Sequence, residues 1–270
     1  DALPARPSHE MPETDYRQSI LPEDRDPALT PAQRATTRAM RGQADGDRAY
    51  ALGAGLPEAV RLYTAAAVDT QAARGPDAEG ALERARSRYR AILQLPPPQA
   101  AARSVWAAYM LAEIGDEAEL AAGDDAAQRL AAAQAYVRVR QLARDGAPDP
   151  LDLAVASYGQ EARLSLAAPQ GQCSYDELVN AGPCMDAIPA AALKHAVRQY
   201  AEQAARDSAS GTASLRMLAE WALDDPARTR RLIDDPVAQR LLVAYALARV
   251  GDIVDGRPDS ATDPFATYDT

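Results

Sequence analysis

The residues that could do chemistry are few and scattered. His195 follows Lys194, the only lysine, and the other histidine, His9, is far away near the start of the sequence. Acidic pairs recur at Asp124-Asp125, Asp224-Asp225 and Asp234-Asp235, and Asp145, Asp149 and Asp152 are close in sequence. Such carboxylates could hold calcium or act as an acid and base pair on a glycosidic bond. They could equally cap helices, because Asp225 and Asp235 each precede a proline, and an aspartate favours the positive end of a helix. The Asp145, Asp149 and Asp152 group lacks the glycine and the closing glutamate of an EF-hand loop. Glu113, Glu161 and Glu220 fall in helical patterns without the Glu-Ser motif of lytic transglycosylases. No nucleophile elbow, phosphate-binding glycine loop or HExxH is present. The expectation is a chain that is not an enzyme, with no cofactor and no metal site.

The two cysteines are more informative. Cys173 and Cys184 bracket Ser-Tyr-Asp-Glu-Leu-Val-Asn-Ala-Gly-Pro between two helical patterns. Both lie in one short loop, and their spacing is wrong for a Cys-x-x-Cys redox pair. A disulfide between them would contribute on the order of 2.5–3 kcal/mol by loop closure, and free thiols or a redox switch are the other readings. A lasting disulfide implies an oxidising compartment, so the chain is expected to be exported and periplasmic.

Composition narrows the classes further. Among 270 residues there are 39 acidic and 29 basic, a formal net charge of -10, with alanine dominant and a single Phe. An acidic chain without a dense basic stripe argues against nucleic acid as the main partner. The longest apolar run, Leu241–Ala248, is bracketed by Arg240 and Arg249, far short of the roughly 20 residues that span a bilayer. Arginine supplies nearly all the positive charge. Arg84, Arg86, Arg88 and Arg90, then Arg138 and Arg140, then Arg228, Arg230 and Arg231 form runs that read either as solvated faces or as docking points for an acidic segment.

Helix signals are dense. Thr30-Pro31, Asp149-Pro150, Asp225-Pro226 and Asp235-Pro236 pair an N-capping side chain with proline at the first helical position. Gly75-Pro76, Pro96-Pro97-Pro98, Gly115-Asp116, Gly146, Gly211 and Gly251-Asp252 read as stops. Between them apolar residues recur at three and four, as in Val105, Trp106, Tyr109, Met110 and Ile114, and no stretch alternates like a strand. The chain is expected to be all-α: a leading helix near 31–53, then helical pairs near 57–97, 102–146, 151–206 and 212–251. Tyr63, Tyr89, Trp106, Tyr136, Tyr158, Tyr200, Trp221 and Tyr245 occur about once per helix. They read as packing residues, with an aromatic-lined ligand groove as the alternative.

Ala85, Tyr89, Ile92 and Pro97 fall at spacings of 4, 3 and 5. With Tyr89-Arg-Ala-Ile-Leu-Gln-Leu-Pro-Pro, this resembles the second helix of a tetratricopeptide repeat. Ala132, Tyr136 and Val139 echo it, as do Ala196, Tyr200 and Gln203, while Trp106 to Asp116 resembles a first helix and its turn. The repeat length departs from 34 residues and the turns carry insertions. The resemblance implies an α-solenoid of stacked hairpins, a TPR-like right-handed superhelix. It also implies a groove lined by first helices, and that register puts Tyr109, Glu113, Gln160 and Arg163 in it as partner-binding residues.

The ends read differently. Residues 1–30, with Pro4, Pro7, Pro12, Pro22 and Pro27 and no helical period, are expected to form an extended arm, and 253–270 a polar tail, around a repeat domain over 31–252. If the arms lie along a neighbour, Tyr16, Ile20 and Leu21 anchor the first and Phe265 and Tyr268 the last. The expected function is a non-enzymatic scaffold or accessory subunit of an exported or cell-envelope assembly, binding another protein or peptide. The alternatives are a helical accessory domain of a cell-wall-remodelling enzyme and a small-ligand binder.

Overall fold

The side chains that precede the helices fix where they start. Thr30 accepts from the Gln33 backbone N–H at 3.3 Å while Gln33 Oε1 accepts from the Thr30 N–H at 2.9 Å, a reciprocal box in front of Pro31. Asp45 accepts from Arg48 N, Ser208 from Gly211 N and Asp225 from Ala227 N. Asp235 takes two backbone N–H groups, from Val237 at 2.9 Å and Ala238 at 3.1 Å. The acidic pairs at 224–225 and 234–235 are therefore used in capping and in ion pairs to Arg228 and Lys194.

The computed structural model describes residues 21–75, 77–122, 126–167, 177 and 183–254, with backbone alone at 116–122, 126–131, 167, 183 and 250–254. Among the described residues the chain is all-helical, without a strand. The helices are α1 (Pro31–Arg41), α2 (Gly46–Leu52), α3 (Glu58–Ala72), α4 (Ala78–Gln94), α5 (Pro97–Ala100), α6 (Ser104–Ala122), α7 (Ala126–Arg144), α8 (Leu153–Ala167), α9 (Ala190–Ala204), α10 (Ala209–Leu223), α11 (Pro226–Leu232) and α12 (Pro236–Val254). Short 3-10 turns occupy Pro22–Arg25 and Pro183–Ala187.

Six expectations about helix boundaries need correction. Gly115-Asp116 and Gly251-Asp252, read as stops, lie inside α6 and α12, which run on to Ala122 and Val254. The leading helix is two, broken at Gly42 and restarted by the Asp45 cap. The helix expected at Pro150 begins at Leu153, after Asp152 takes a positive φ of 53°. Asp149 still serves it by accepting from Leu153 N and Ala154 N, both at 2.9 Å. Gly211, read as a stop, lies in the first turn of α10, where a Cβ would come within 2.8 Å of the Ala204 backbone nitrogen. Only glycine lets α10 start this close to the end of α9. The last expected pair is three helices, because Asp225-Pro226 starts α11 before α12 begins.

Packing follows chain order. α3 lies against α4, α6 against α7 and α8 against α9, and α4 meets α6, α7 meets α8 and α9 meets α10. Contacts also run in series from α1 to α3, α3 to α6 and α6 to α8. The main core joins Tyr63, Tyr89, Trp106, Tyr109, Tyr136 and Tyr158 with small buried alanines such as Ala59, Ala66, Ala85, Ala107 and Ala112. Alanine brings the backbones close, and the rings fill what remains. Tyr63 meets Trp106 edge-on at 5.2 Å between centroids and Tyr89 at 5.6 Å, each ring adding about 2–3 kcal/mol of gross burial. A second core holds Tyr200 and Trp221 with Leu193, Val197, Leu218 and Leu232, and a third holds Leu29, Met40, Leu56, Val60 and Val68.

Leu29 shows that the expected arm does not extend to residue 30. Residues 21–30 are folded into the body, with Glu23, Asp26 and Leu29 all buried. Leu21, named as an arm anchor, is half-buried at the start of this segment. The other anchors, Tyr16, Ile20, Phe265 and Tyr268, lie outside the described residues.

Candidate functional site

α8 presents polar side chains to helices on both sides. Towards α6, Gln160 and Arg163 share a face at i and i+3, opposite Tyr109 and Glu113 at i and i+4 of α6. Gln160 Nε2 donates to Tyr109 Oη at 3.2 Å and to Glu113 Oε1 at 3.3 Å, and Arg163 Nε donates to Gln160 Oε1 at 2.9 Å. The four residues that the repeat register selected thus meet in one hydrogen-bonded seam between α6 and α8. Tyr109 is buried there, while Glu113, Gln160 and Arg163 are half-exposed. Burial, reinforced by the negative charge of Glu113, pushes the Tyr109 phenol well above its ordinary range, so it stays neutral and able to donate.

On its other face α8 carries Ser157, Tyr158 and Glu161 towards α7 and α9. Glu161 is buried and accepts from the Arg140 guanidinium, from His195 Nε2 at 3.1 Å and from Gln199 Nε2 at 3.2 Å. Arg140, also buried, donates to Ser157 Oγ at 3.1 Å and stacks on Tyr158, 4.4 Å from the ring centroid. Arg206 lies 5.0 Å from the same ring. Burial alone would raise the Glu161 carboxyl, but the His195 hydrogen bond and the Arg140 charge outweigh it and hold the group below the usual carboxylate range. The carboxylate can only accept, so the proton of this contact sits on His195 Nε2.

The sequence reading missed this second network. Arg140 belongs to a run that reads as a solvated face or a docking point, and nothing in sequence pairs His195 with an acid, yet Arg140 is buried and His195 bonds a buried carboxylate. No local spacing signals it, because the partners are 21 and 34 residues from Glu161. The Arg84 and Arg88 face has a similar outcome. Both side chains turn to Asp69, a fully buried carboxylate on α3 that also accepts from Gly46 N at 3.0 Å. Asp69 thereby ties the start of α2 to α3 and α4.

The other candidates separate. Asp145 accepts from Gln141 at 2.7 Å while Asp149 faces the backbone of α8, so Asp145, Asp149 and Asp152 do not converge. Among the described residues no group of three or more His, Cys, Asp or Glu is placed to hold a metal ion. Ser157 is buried and donates to the Ala154 carbonyl at 2.8 Å, which leaves no exposed nucleophile at this network. Cys184 carries no free thiol, and it packs partly buried against the second core. Cys173, the partner the sequence offers it, lies outside the described residues, as do Asp124 and Asp125. No helix among the described residues is long and apolar enough to cross a membrane.

The two faces of α8 thus hold a phenol, an amide, a carboxylate, a guanidinium and an imidazole at defined positions on helices rather than loops. Comparison with family models, with curated proteins and with solved structures returns no match.

Proposed function

We propose that this chain is a non-enzymatic interaction scaffold whose first helices form a face for a protein or peptide segment. The observation that carries the reading is the seam of Tyr109, Glu113, Gln160 and Arg163. These residues were selected by repeat register alone, are bonded across 47 and 51 residues of sequence, and form one hydrogen-bonded seam in which Glu113, Gln160 and Arg163 are half-exposed. The order of packing also supports an α-solenoid of TPR-like hairpins, since α3–α4, α6–α7 and α8–α9 pair and α3, α6 and α8 touch in series. In such a stack each pair buries its apolar face only against its neighbours, leaving one continuous outer face for binding. A peptide clamped there would be held by amide and charged side chains, with specificity from charge. A Cys173–Cys184 disulfide and an exported, periplasmic location complete the proposal.

The test is partner capture by photo-crosslinking in the source cells from position 156, half-exposed on α8 one turn before Gln160, in the parent and in a Gln160→Ala, Arg163→Ala variant, with the crosslinker at Val137, an exposed site on α7, as the control. One partner linked from position 156 in the parent, and lost from the double variant, supports the reading. The same products from the seam and from α7, or a chain recovered alone and unlinked, would overturn it.

A further inference from the structure

We infer that residues 21–29 are an internal occupant of a site for acidic peptide segments, with Glu23 and Asp26 in the carboxylate positions. The inference rests on the reading of the first-helix face as a partner surface, and extends it to α1, α3 and the start of α6. Glu23 is fully buried, with its Oε1 accepting from Arg41 Nε at 3.0 Å and Nη2 at 2.7 Å, and Thr64 Oγ1 of α3 lies at 3.4 Å. Asp26 lies 2.6 Å from Arg103 Nη1, both side chains being nearly inaccessible, at 4% and 1%. Arg34 donates to the Asp26 carbonyl at 2.9 Å, and the exposed Arg38 to the half-buried Asp24 at 2.8 Å. One short acidic stretch is thus gripped by four arginines from two parts of the chain.

The closed arrangement is polar and incompletely matched. Arg103 Nε and Nη2, Trp106 Nε1 and Arg34 Nε are buried donors without acceptors, and Glu23 Oε2 and Asp26 Oδ2 are buried without hydrogen-bond geometry to any donor. Such groups oppose closure, and a buried ion pair is a weak source of stability. The strap has one buried apolar anchor, Leu29. A segment held by charge over unsatisfied donors is among the first to open. When it opens, Arg34, Arg41 and Arg103 lose these acceptors, and the Arg103 guanidinium carbon lies 4.2 Å from the Trp106 ring centroid and 5.9 Å from that of Tyr63. That surface matches an acidic peptide with carboxylates three residues apart, the spacing of Glu23 and Asp26.

The test uses the full chain and a fluorescein-labelled peptide of residues 21–30. In Glu23→Gln, Asp26→Asn the strap loses its charge with little change of shape. Hydrogen exchange should then show faster exchange of the 21–29 amides than in the parent. Fluorescence anisotropy should show the peptide binding the variant about tenfold more tightly than the parent, because an internal competitor no longer fills the site. A peptide bearing the same Gln and Asn should bind neither. Leu29→Ala releases the strap by a different route and takes the same assay if the first variant does not fold. Adding Arg163→Gln should leave peptide binding unchanged, which separates failure here from failure at the α6–α8 seam. Equal peptide binding to parent and variants, no binding to an opened strap, or strap amides that stay protected in both variants would each overturn the proposal.

Discussion

Glu161→Ala tests the central network most directly. In the folded chain the Glu161 carboxylate is the acceptor for Arg140, His195 and Gln199. Truncation leaves the Arg140 guanidinium buried, with Ser157 Oγ as its remaining side-chain acceptor in this network and the Tyr158 ring above it. Removing one partner of a buried pair costs about 3–5 kcal/mol, since the charge left behind has neither water nor a counterion. His195 and Gln199 are half-exposed and can turn to water, so their losses add little. With a urea slope near 2–3 kcal/mol per molar for a chain of this size, the unfolding midpoint should fall by about 1–2 M. Replacing both partners, as Arg140→Met with Glu161→Met, removes the stranded charge and should be close to neutral. The assay is urea unfolding of the parent, both single variants and the double variant, followed by circular dichroism and tryptophan fluorescence. A loss below about 1 kcal/mol for Glu161→Ala, or a double variant as unstable as the sum of the singles, would refute the claim that this pair is buried and coupled.

Three further outcomes follow from the same geometry. The Glu161 carboxyl is held below its unfolded value of about 4.3, so its contribution is present above that pH and is lost as pH falls through the folded value. The thermal midpoint of the parent should therefore drop faster between pH 5 and 3 than that of Glu161→Gln. At Gly46 an added Cβ would sit 2.5 Å from Asp69 Cγ and 2.7 Å from Arg88 Nη1, so Gly46→Ala should destabilise by about 1–3 kcal/mol in chemical unfolding. Alkylation of the native chain without reductant should add no label, and reduction should lower stability by about 2.5–3 kcal/mol if Cys173 and Cys184 close their loop. Labelling of both thiols in protein taken directly from cells would count against export.

Helix content and many helix starts were legible in the sequence because capping is local. A side chain such as Thr30, Asp225 or Asp235 reaches backbone N–H groups two or three residues away, and spacing alone reveals it. The aromatic residues spaced once per helix were legible as core for a related reason, since each must be covered by a neighbouring helix wherever that helix lies. Register along a helix also placed Tyr109 with Glu113 and Gln160 with Arg163, each pair on one face. Their meeting across α6 and α8 depended on how closely alanine lets the two helices approach, which is a property of the packed structure. The buried ions were not legible at all. Glu23 with Arg41, Asp26 with Arg103, Asp69 with Arg88 and Arg140 with Glu161 are separated by 18 to 77 residues. In the sequence each is one of 68 charged residues that water could have solvated. Tertiary packing decided which of them lost that water, and a charge deprived of water must find its opposite among whatever residues the fold brings within a few ångströms.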